Sequence, residues 1–371
     1  MSVGVGLTRN DGGLTTSVNH FTAALGGLVV VFSRENSFDR SQLIAKEIYQ
    51  VRTNDNFFGR AFAQVARTRL AEVEEYVANR AKIITCHCLY RFHCHFVYRV
   101  FQNYGIPYNI VLHGALDKVV RAHRGMRKSL WLNIFGKQFL ANARHVICAT
   151  RTERTNANKF FQDANYTDLY WPTEFFESKW AMLRRKRQKI RASYGIEKGH
   201  RVILCLGRLN RVKNPIDVIK SLAGLPLKVV LFLVGPEDDI SINQCKAIAK
   251  KCGVKVRCTG FADLEMKEEI FAMADYYISL SRHENFNYSL VEALARGIPA
   301  MVSKGNDIYQ DLAGERFCRL VSKPEDVHSV LQELVSMSSY ETKSLSKSAS
   351  EWVQRNMQFC DFKNKLVKLY Q

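Results

Sequence analysis

At 371 residues, with 47% hydrophobic and 24% charged residues, the chain is too long for one ordinary core and has the composition of a globular protein of two domains of roughly 150–200 residues. The net charge of +19 is shared by both halves, with 22 Lys and Arg against 12 Asp and Glu in residues 1–170 and 32 against 23 in residues 171–371; such a field attracts polyanions and says nothing of fold. No run reaches the roughly 20 apolar residues of a membrane span, Met1-Ser2-Val3 leads into a strand-like stretch rather than a signal peptide, and the ten Cys lack the spacing of a disulfide scaffold, so a cytoplasmic protein with reduced thiols is expected.

In chain order, the first feature is Gly4-Val5-Gly6. A dinucleotide fingerprint would need Gly at position 9, where Arg9 stands, which argues against a nicotinamide enzyme. The loop Arg9-Asn10-Asp11-Gly12-Gly13 precedes a helical pattern at Thr15–Leu25, and its backbone could face an anion or form an ordinary strand–helix turn. Strands are predicted at Leu28–Phe32, Ala81–Thr85, Tyr108–Leu112 and His145–Ala149, with an amphipathic stretch at Phe62–Ala78. Between them Cys86-His87-Cys88 and His93-Cys94-His95 offer six soft ligands, but their spacing matches no common structural zinc site; they read as a strand end and a helix start. In Lys118–His145, Arg121, Arg124, Arg127, Lys128 and Lys137 alternate with Trp131, Leu132, Ile134 and Phe135. That pattern suits an interfacial helix on an anionic membrane or an ordinary amphipathic helix.

A domain boundary is expected near Trp171-Pro172-Thr173, giving domains at 1–174 and 175–352 with a last helix at about 353–371 packing back on the first. The basic run Arg184–Arg191 is interleaved with Trp180, Met182, Leu183 and Ile190 and reads as a surface helix. Beyond it, strands at Arg201–Leu206, Lys228–Val234, Val256–Thr259, Tyr276–Ser279 and Ala300–Val302 alternate with helices at Ile216–Ala223, Ile242–Lys251, Leu264–Met273, Tyr288–Arg296 and Pro324–Met337. This alternation is the pattern of a doubly wound parallel sheet, and the first half repeats it more loosely.

The chemistry concentrates where these strands end. Gly207-Arg208-Leu209 closes one strand, and Lys213-Asn214-Pro215 opens the next helix. Arg and Lys at the carboxyl edge of a parallel sheet suit a diphosphate, the Arg through a bidentate fork and the Lys as a mobile point charge. After another strand comes His283-Glu284-Asn285-Phe286-Asn287-Tyr288-Ser289-Leu290-Val291-Glu292, whose two Glu could each accept hydrogen bonds from sugar hydroxyls.

The runs GRLNRVKNP, LFLVGP, TGF and HENFNYSLVEALARGIPAMVS within Arg201–Val302 resemble the retaining glycosyltransferases of GT-B fold that carry an E-x7-E motif, the group that includes glycogen synthases and bacterial envelope mannosyl- and glucosyltransferases. PYNIVLHGALD at Pro107–Asp117 and Gly12-Gly13 look like the His-Gly loop and glycine loop of the same group. The resemblance implies an α/β architecture of two Rossmann-like domains facing each other across a cleft. It implies that Arg208 and Lys213 hold the donor diphosphate, that Glu292 binds the ribose, and that Glu284 with Asn285, Phe286 and Asn287 meets the transferred sugar. Gly207, Gly235 and Phe261 would line the donor site, and His113 with Gly12 and Gly13 would complete it from the other domain. Asn287 stands where the group often has Gly, although Asn tolerates left-handed backbone better than most residues.

These implications describe a hexosyltransferase that uses a UDP- or GDP-sugar and no cofactor. No Asp-x-Asp pair is present, so Arg208 and Lys213 would replace a divalent cation. The acceptor would be an envelope glycan or lipid-linked acceptor, reached from the cytoplasmic face of the inner membrane. The alternative drawn from charge alone is a protein that binds or glycosylates nucleic acid.

Overall fold

The structure is a computed structural model that describes residues 2–5, 12–33, 40–52, 67–122, 125–173, 177–225, 228–323 and 325–371. Arg9, Asn10 and Asp11, positions 62–66, Arg124 and Pro324 lie outside the described residues. The chain divides into two compact units, Met1–Pro172 with Phe359–Gln371 and Thr173–Gln358.

The first unit contains strands β1 (Ser2–Val5), β2 (Leu28–Ser33), β3 (Glu47–Arg52), β4 (Ile84–His87), β5 (Tyr108–Val111), β6 (His145–Cys148) and β7 (Tyr166–Asp168), in the order β3-β2-β1-β4-β5-β6-β7. Every pairing is parallel. Strands β4 and β5 are buried on both faces, as helix-covered parallel strands must be. Helices α1 (Gly12–Leu25), α2 (Arg67–Ala78) and α3 (Phe92–Tyr104) accompany the strands. On one side Val73, Val77, Phe96, Val97 and Val100 pack with Ile84, Tyr108 and Ile110 in one core. Two of the strands, β3 and β7, were not anticipated: EIYQVR has too little apolar contrast and YTD is three residues long.

Of the two readings of this basic and apolar stretch, the segment 118–141 fits the ordinary amphipathic one for Trp131, Leu132 and Phe135, which face the core. It consists of α4 (Lys118–Ala122), α5 (Gly125–Trp131), a π-helical turn at Leu132–Gly136 and α6 (Lys137–Ala141), followed by β6. Leu132 and Phe139 are buried, while Trp131 and Phe135 pack against the core. Phe135 stacks on Phe139 at 5.3 Å, and the Trp131 indole N–H donates to His95 Nε2 at 3.2 Å. Val119, Met126, Leu130 and Ile134 are the exposed large apolar side chains among the described residues of this segment.

The second unit begins with α8 (Glu177–Arg185) and α9 (Arg187–Ser193), after α7 (Arg151–Phe160) of the first. The basic run is thus helical, with a break at Lys186. Arg187 and Arg191 are bound to Asp275 at 2.6 and 2.5 Å, which ties two of its charges into the fold. Strands β8 (Arg201–Leu206), β9 (Val229–Val234), β10 (Lys255–Gly260), β11 (Tyr276–Ser279), β12 (Ala300–Ser303) and β13 (Cys318–Val321) form a second all-parallel sheet in the order β10-β9-β8-β11-β12-β13. Its helices are α10 (Pro215–Ser221), α11 (Ile242–Cys252), α12 (Leu264–Met273), α13 (Tyr288–Ala295), α14 (Asp326–Ser336) and α15 (Ser339–Asn356). Local chemistry sets their starts: Pro215 occupies the first turn of α10, Ser241 and Gln244 form a reciprocal cap on α11, and Asp263 accepts the Met266 N–H at 2.8 Å on α12.

The last helix, α16 (Phe359–Tyr370), belongs to the first unit. Phe362 lies 5.5 Å from Phe21 of α1 and 6.3 Å from Trp171, and the Tyr370 and Thr85 hydroxyls are hydrogen-bonded.

Both sheets reverse direction of progression beside their first strand, so each has a topological switch point, β1/β4 in one and β8/β11 in the other. At the second, two backbones come close. Gly235, just after β9, has φ 144°, and a Cβ there would lie 2.1 Å from the Gly207 carbonyl oxygen. Gly235→Ala should therefore destabilise the second domain by at least about 2 kcal/mol, an overpacking and positive-φ cost that lowers its melting point by about 4–8 °C. Gly224→Ala, with nothing within 4 Å of the added Cβ, should cost about 1 kcal/mol or less. Equal melting points for the two variants in calorimetry would contradict the clash.

Candidate functional site

At the switch point of the second sheet, the loop after β8 and the loop after β11 are stitched together. The Arg282 N–H donates to the Val212 carbonyl at 2.8 Å, and Asn214 Nδ2 donates to the Leu280 carbonyl at 3.3 Å. The aliphatic chain of Lys213 crosses Gly207, where a Cβ would meet Lys213 Cε at 2.9 Å. Its ammonium then ion-pairs with Glu284 Oε2, both side chains about one-quarter exposed. Glu284 is fixed through its backbone as well: its N–H donates to the Gly305 carbonyl at 2.7 Å, and its carbonyl accepts from Asp307 at 2.9 Å. Thus Lys213 and Glu284, 71 positions apart in the chain, form one partly exposed dipole at the carboxyl edge of the sheet.

Arg208 points elsewhere. It is half exposed, and its guanidinium lies 3.8 Å from Asp238 on the loop after β9, a loop also held by Asn210 Nδ2 donating to Asp238 at 3.1 Å. A long pair between exposed groups is weak, which leaves the Arg208 side chain easily recruited. Phe261 is 76% exposed.

Asn287 occupies the left-handed region at φ 53°, caps α13 by accepting the Leu290 N–H, and is buried. Its amide donates to Asn306 Oδ1 at 2.6 Å and to Ser279 Oγ at 3.2 Å. Ser289 Oγ donates to the Leu206 carbonyl at 3.0 Å, linking the start of α13 to the end of β8. Where Gly would only permit the backbone turn, Asn permits it and adds a polar network through Ser279, Ser289 and Asn306. Phe286 is buried against Tyr288, with ring centroids 5.0 Å apart, and Asn285 is partly buried. One turn further, Glu292 pairs with Lys267 of α12 at 2.6 Å, both side chains about one-quarter exposed. Each Glu of the motif therefore carries its own Lys. Lys267, Asn306 and Ser279 escape a motif search because they lie on other elements.

In the first domain, Gly12 and Gly13 open α1. His113 follows β5 at φ 53°, and its Nε2 lies 3.1 Å from His87 Nδ1 at the end of β4. Phe21 meets His87 edge-on at 5.2 Å, and Trp171 lies 5.8 Å from His113. The loop is held by Glu153, a buried carboxylate that accepts the N–H groups of Gly114 and Ala149. The T-x-x-E spacing of Thr150 and Glu153 marks a helix start, and Thr150 does accept the Glu153 N–H at 3.1 Å, but the carboxylate's hold on the Gly114 loop is not legible in it.

Burial brings the His113 pKa down to about 3, and burial followed by the neighbouring His113 brings His87 well below the ordinary histidine value. Both rings are neutral at pH 7. The unfolded chain binds these protons near pH 6.5 while the folded chain refuses them, so stability is full above about pH 6.5 and falls as pH drops toward the folded values. Denaturant unfolding at pH 5 should show a loss of about 2 kcal/mol per ring relative to pH 7. In the double variant His87→Gln/His113→Gln that slope should shrink; an unchanged slope would place the protons elsewhere.

Residues 186–355 match the family described as glycosyl transferases group 1. Over 230 residues the chain is 23% identical to N-acetyl-alpha-D-glucosaminyl L-malate synthase of Bacillus anthracis, a match covering 61% of this chain and 58% of that enzyme. In fold it is similar to Anabaena Alr3699/HepE, solved in complex with UDP (TM-score 0.79, 13% identity, 99% of this chain and 98% of that one). It is also similar to WaaG, a glycosyltransferase involved in lipopolysaccharide biosynthesis (TM-score 0.68, 16% identity, 99% and 98%). The matched family range contains Gly207, Arg208, Lys213, Glu284 and Glu292. The match falls within the second of the two Rossmann-like domains.

Proposed function

We propose that the chain is a retaining hexosyltransferase that binds a UDP- or GDP-sugar on its second domain and passes the hexose to a cell-envelope glycan or lipid-linked acceptor held by the first. The observation that carries this reading is the Lys213–Glu284 pair at the β8/β11 switch point. A diphosphate at that sheet edge meets a partly exposed lysine whose partner it can replace, with Arg208, five residues earlier, only weakly engaged with Asp238. In the reaction the bond from sugar C1 to the diphosphate breaks, the acceptor oxygen bonds C1 on the same face, and the acceptor proton passes to the departing phosphate. Lys213 and Arg208 stabilise the negative charge that builds on that phosphate, so no divalent cation is needed on it. Glu284, freed from Lys213 by the phosphate, accepts from the sugar hydroxyls, and Glu292 accepts from the ribose. The UDP complex of the similar HepE structure supports the donor class, and the matched family favours a glycan over nucleic acid as acceptor.

Incubation with a panel of UDP- and GDP-hexoses should show slow donor hydrolysis that survives EDTA and releases the sugar in the donor's anomeric configuration. Lys213→Ala should lower turnover roughly 10²–10³-fold. Glu292→Ala should weaken free nucleotide binding about tenfold in calorimetry, the scale of one hydrogen bond to a charged group, whereas Glu284→Gln should spare nucleotide affinity and impair transfer. No hydrolysis of any donor, or unchanged turnover in Lys213→Ala, would end this assignment.

Membrane docking, as part of the same proposal, moves to Met126, Leu130 and Ile134, spaced four residues apart on the exposed side of α5 and the π turn, with exposed Arg127 and Lys137 alongside. Replacing the three apolar residues by Ser should abolish sedimentation with vesicles containing anionic lipid while leaving the melting point unchanged. Full sedimentation of that variant would leave the charges alone responsible.

A further inference from the structure

The turn from β4 into α3 brings three soft ligands together inside the first domain. One ligand atom each of Cys86, His93 and Cys94 lies within 4.8 Å of the other two, and all three side chains are fully buried. Sulfurs bound to a tetrahedral zinc at about 2.3 Å stand about 3.8 Å apart, so a contraction of about an ångström closes the observed cluster onto an ion. The Cys88 carbonyl oxygen lies 3.9 Å from Cys86 Sγ and 3.7 Å from Cys94 Sγ, over the same space. His93 supplies an independent indication. Its Nε2 lies 2.7 Å from the His87 carbonyl, an acceptor, and 3.9 Å from Cys94 Sγ, so Nε2 carries the proton and Nδ1 carries the lone pair that a metal would take. Yet Nδ1 is buried without a hydrogen-bond partner. Burying such a group unsatisfied is costly, whereas a metal-bound imidazole commonly donates its second N–H to a backbone carbonyl.

We propose that Cys86, His93 and Cys94 bind Zn²⁺ as a structural ion, with the Cys88 carbonyl placed to complete the tetrahedron. Binding releases two thiol protons, and two thiolates with one Zn²⁺ make a neutral unit. That neutrality selects a divalent ion for a site without solvent, since a monovalent one would leave a buried charge unpaired. The spacing Cys86-x6-His93-Cys94 resembles no zinc motif because a strand end and a helix turn, rather than two separate knuckles, bring the ligands together. The ion sits behind the His87–His113 pair through the His87 carbonyl and would hold that strand end in place.

The test uses the full chain, expressed in zinc-replete medium and purified without chelator. Elemental mass spectrometry should find near-stoichiometric zinc, retained through dialysis and released to a chromogenic chelator only when a mercurial titrates the thiols. Growth on Co²⁺ should give the near-ultraviolet thiolate-to-cobalt band, which buried thiols without an ion cannot produce. Cys94→Ser and His93→Gln should lose the metal, and Cys258→Ser should keep it. Should the two ligand variants fail to fold, the wild-type cobalt spectrum still decides. Folded wild-type protein with only trace zinc and no cobalt–thiolate band would overturn the proposal, as would a folded Cys94→Ser variant with full zinc.

Discussion

The close approach of two backbones at Gly207 and Gly235 is the constraint on which the second domain's site depends. Parallel strands β8 and β9 end side by side, and the turn out of β9 brings Gly235 against the Gly207 carbonyl at a distance that no Cβ permits. With that carbonyl fixed, the loop after β8 has one course, across which Lys213 lies flat before reaching Glu284. The position of the ammonium is thus set by main-chain geometry, which is stiff, rather than by side-chain torsions, which are not. A group that must meet developing negative charge gains from such placement, because little reorganisation remains for the reaction step.

The charges at the site are arranged as pairs that can be exchanged. Lys213 with Glu284 and Lys267 with Glu292 are each partly exposed, so neither bears the full desolvation cost of a buried pair. A ligand carrying both an anion and hydroxyls can substitute for each partner at once: phosphate replaces the carboxylate at the lysine, and hydroxyls replace the lysine at the carboxylate. Under the proposed function such an exchange would conserve the number of charge-assisted contacts, so that ligand binding would leave no carboxylate or ammonium of these pairs unpaired.

How much of this was legible in the sequence differs between the halves. In the second domain β8, β11 and α12 have the bounds that apolar runs predict, because each run is flanked by a clear turn residue or cap. Arg208, Lys213, Glu284 and Glu292 were visible as a pattern, but their partners were not: Asp238, Lys267 and Asn306 lie on other elements, joined to the site only by the fold. Asn287 was read through its backbone tolerance alone, and its hydrogen bonds to Ser279 and Asn306 add a polar reason for an amide there. In the first domain the apolar and basic alternation of 118–145 suits an interfacial or an ordinary amphipathic helix alike, and only the fold shows Trp131 and Phe135 packed against the core. The Cys and His residues of 86–94 lie, as their pattern predicts, at a strand end and a helix start. Motif spacing describes separated ligand pairs, and here a single strand–helix corner gathers them.

The assignment of α16 to the first unit bears on how the protein is made. Phe362 covers Phe21 and Trp171, and Tyr370 reaches Thr85, so the core of the first domain lacks part of its wall until residues 359–371 have been synthesised. By then the whole of Thr173–Gln358 has been synthesised. Vectorial synthesis usually lets the N-terminal domain finish first; here the first domain cannot close before the chain of the second is complete. A chain cut before Phe359 would keep every strand of its second unit and leave Phe21 and Trp171 of the first without their cover, an aromatic surface open to chaperones and proteases.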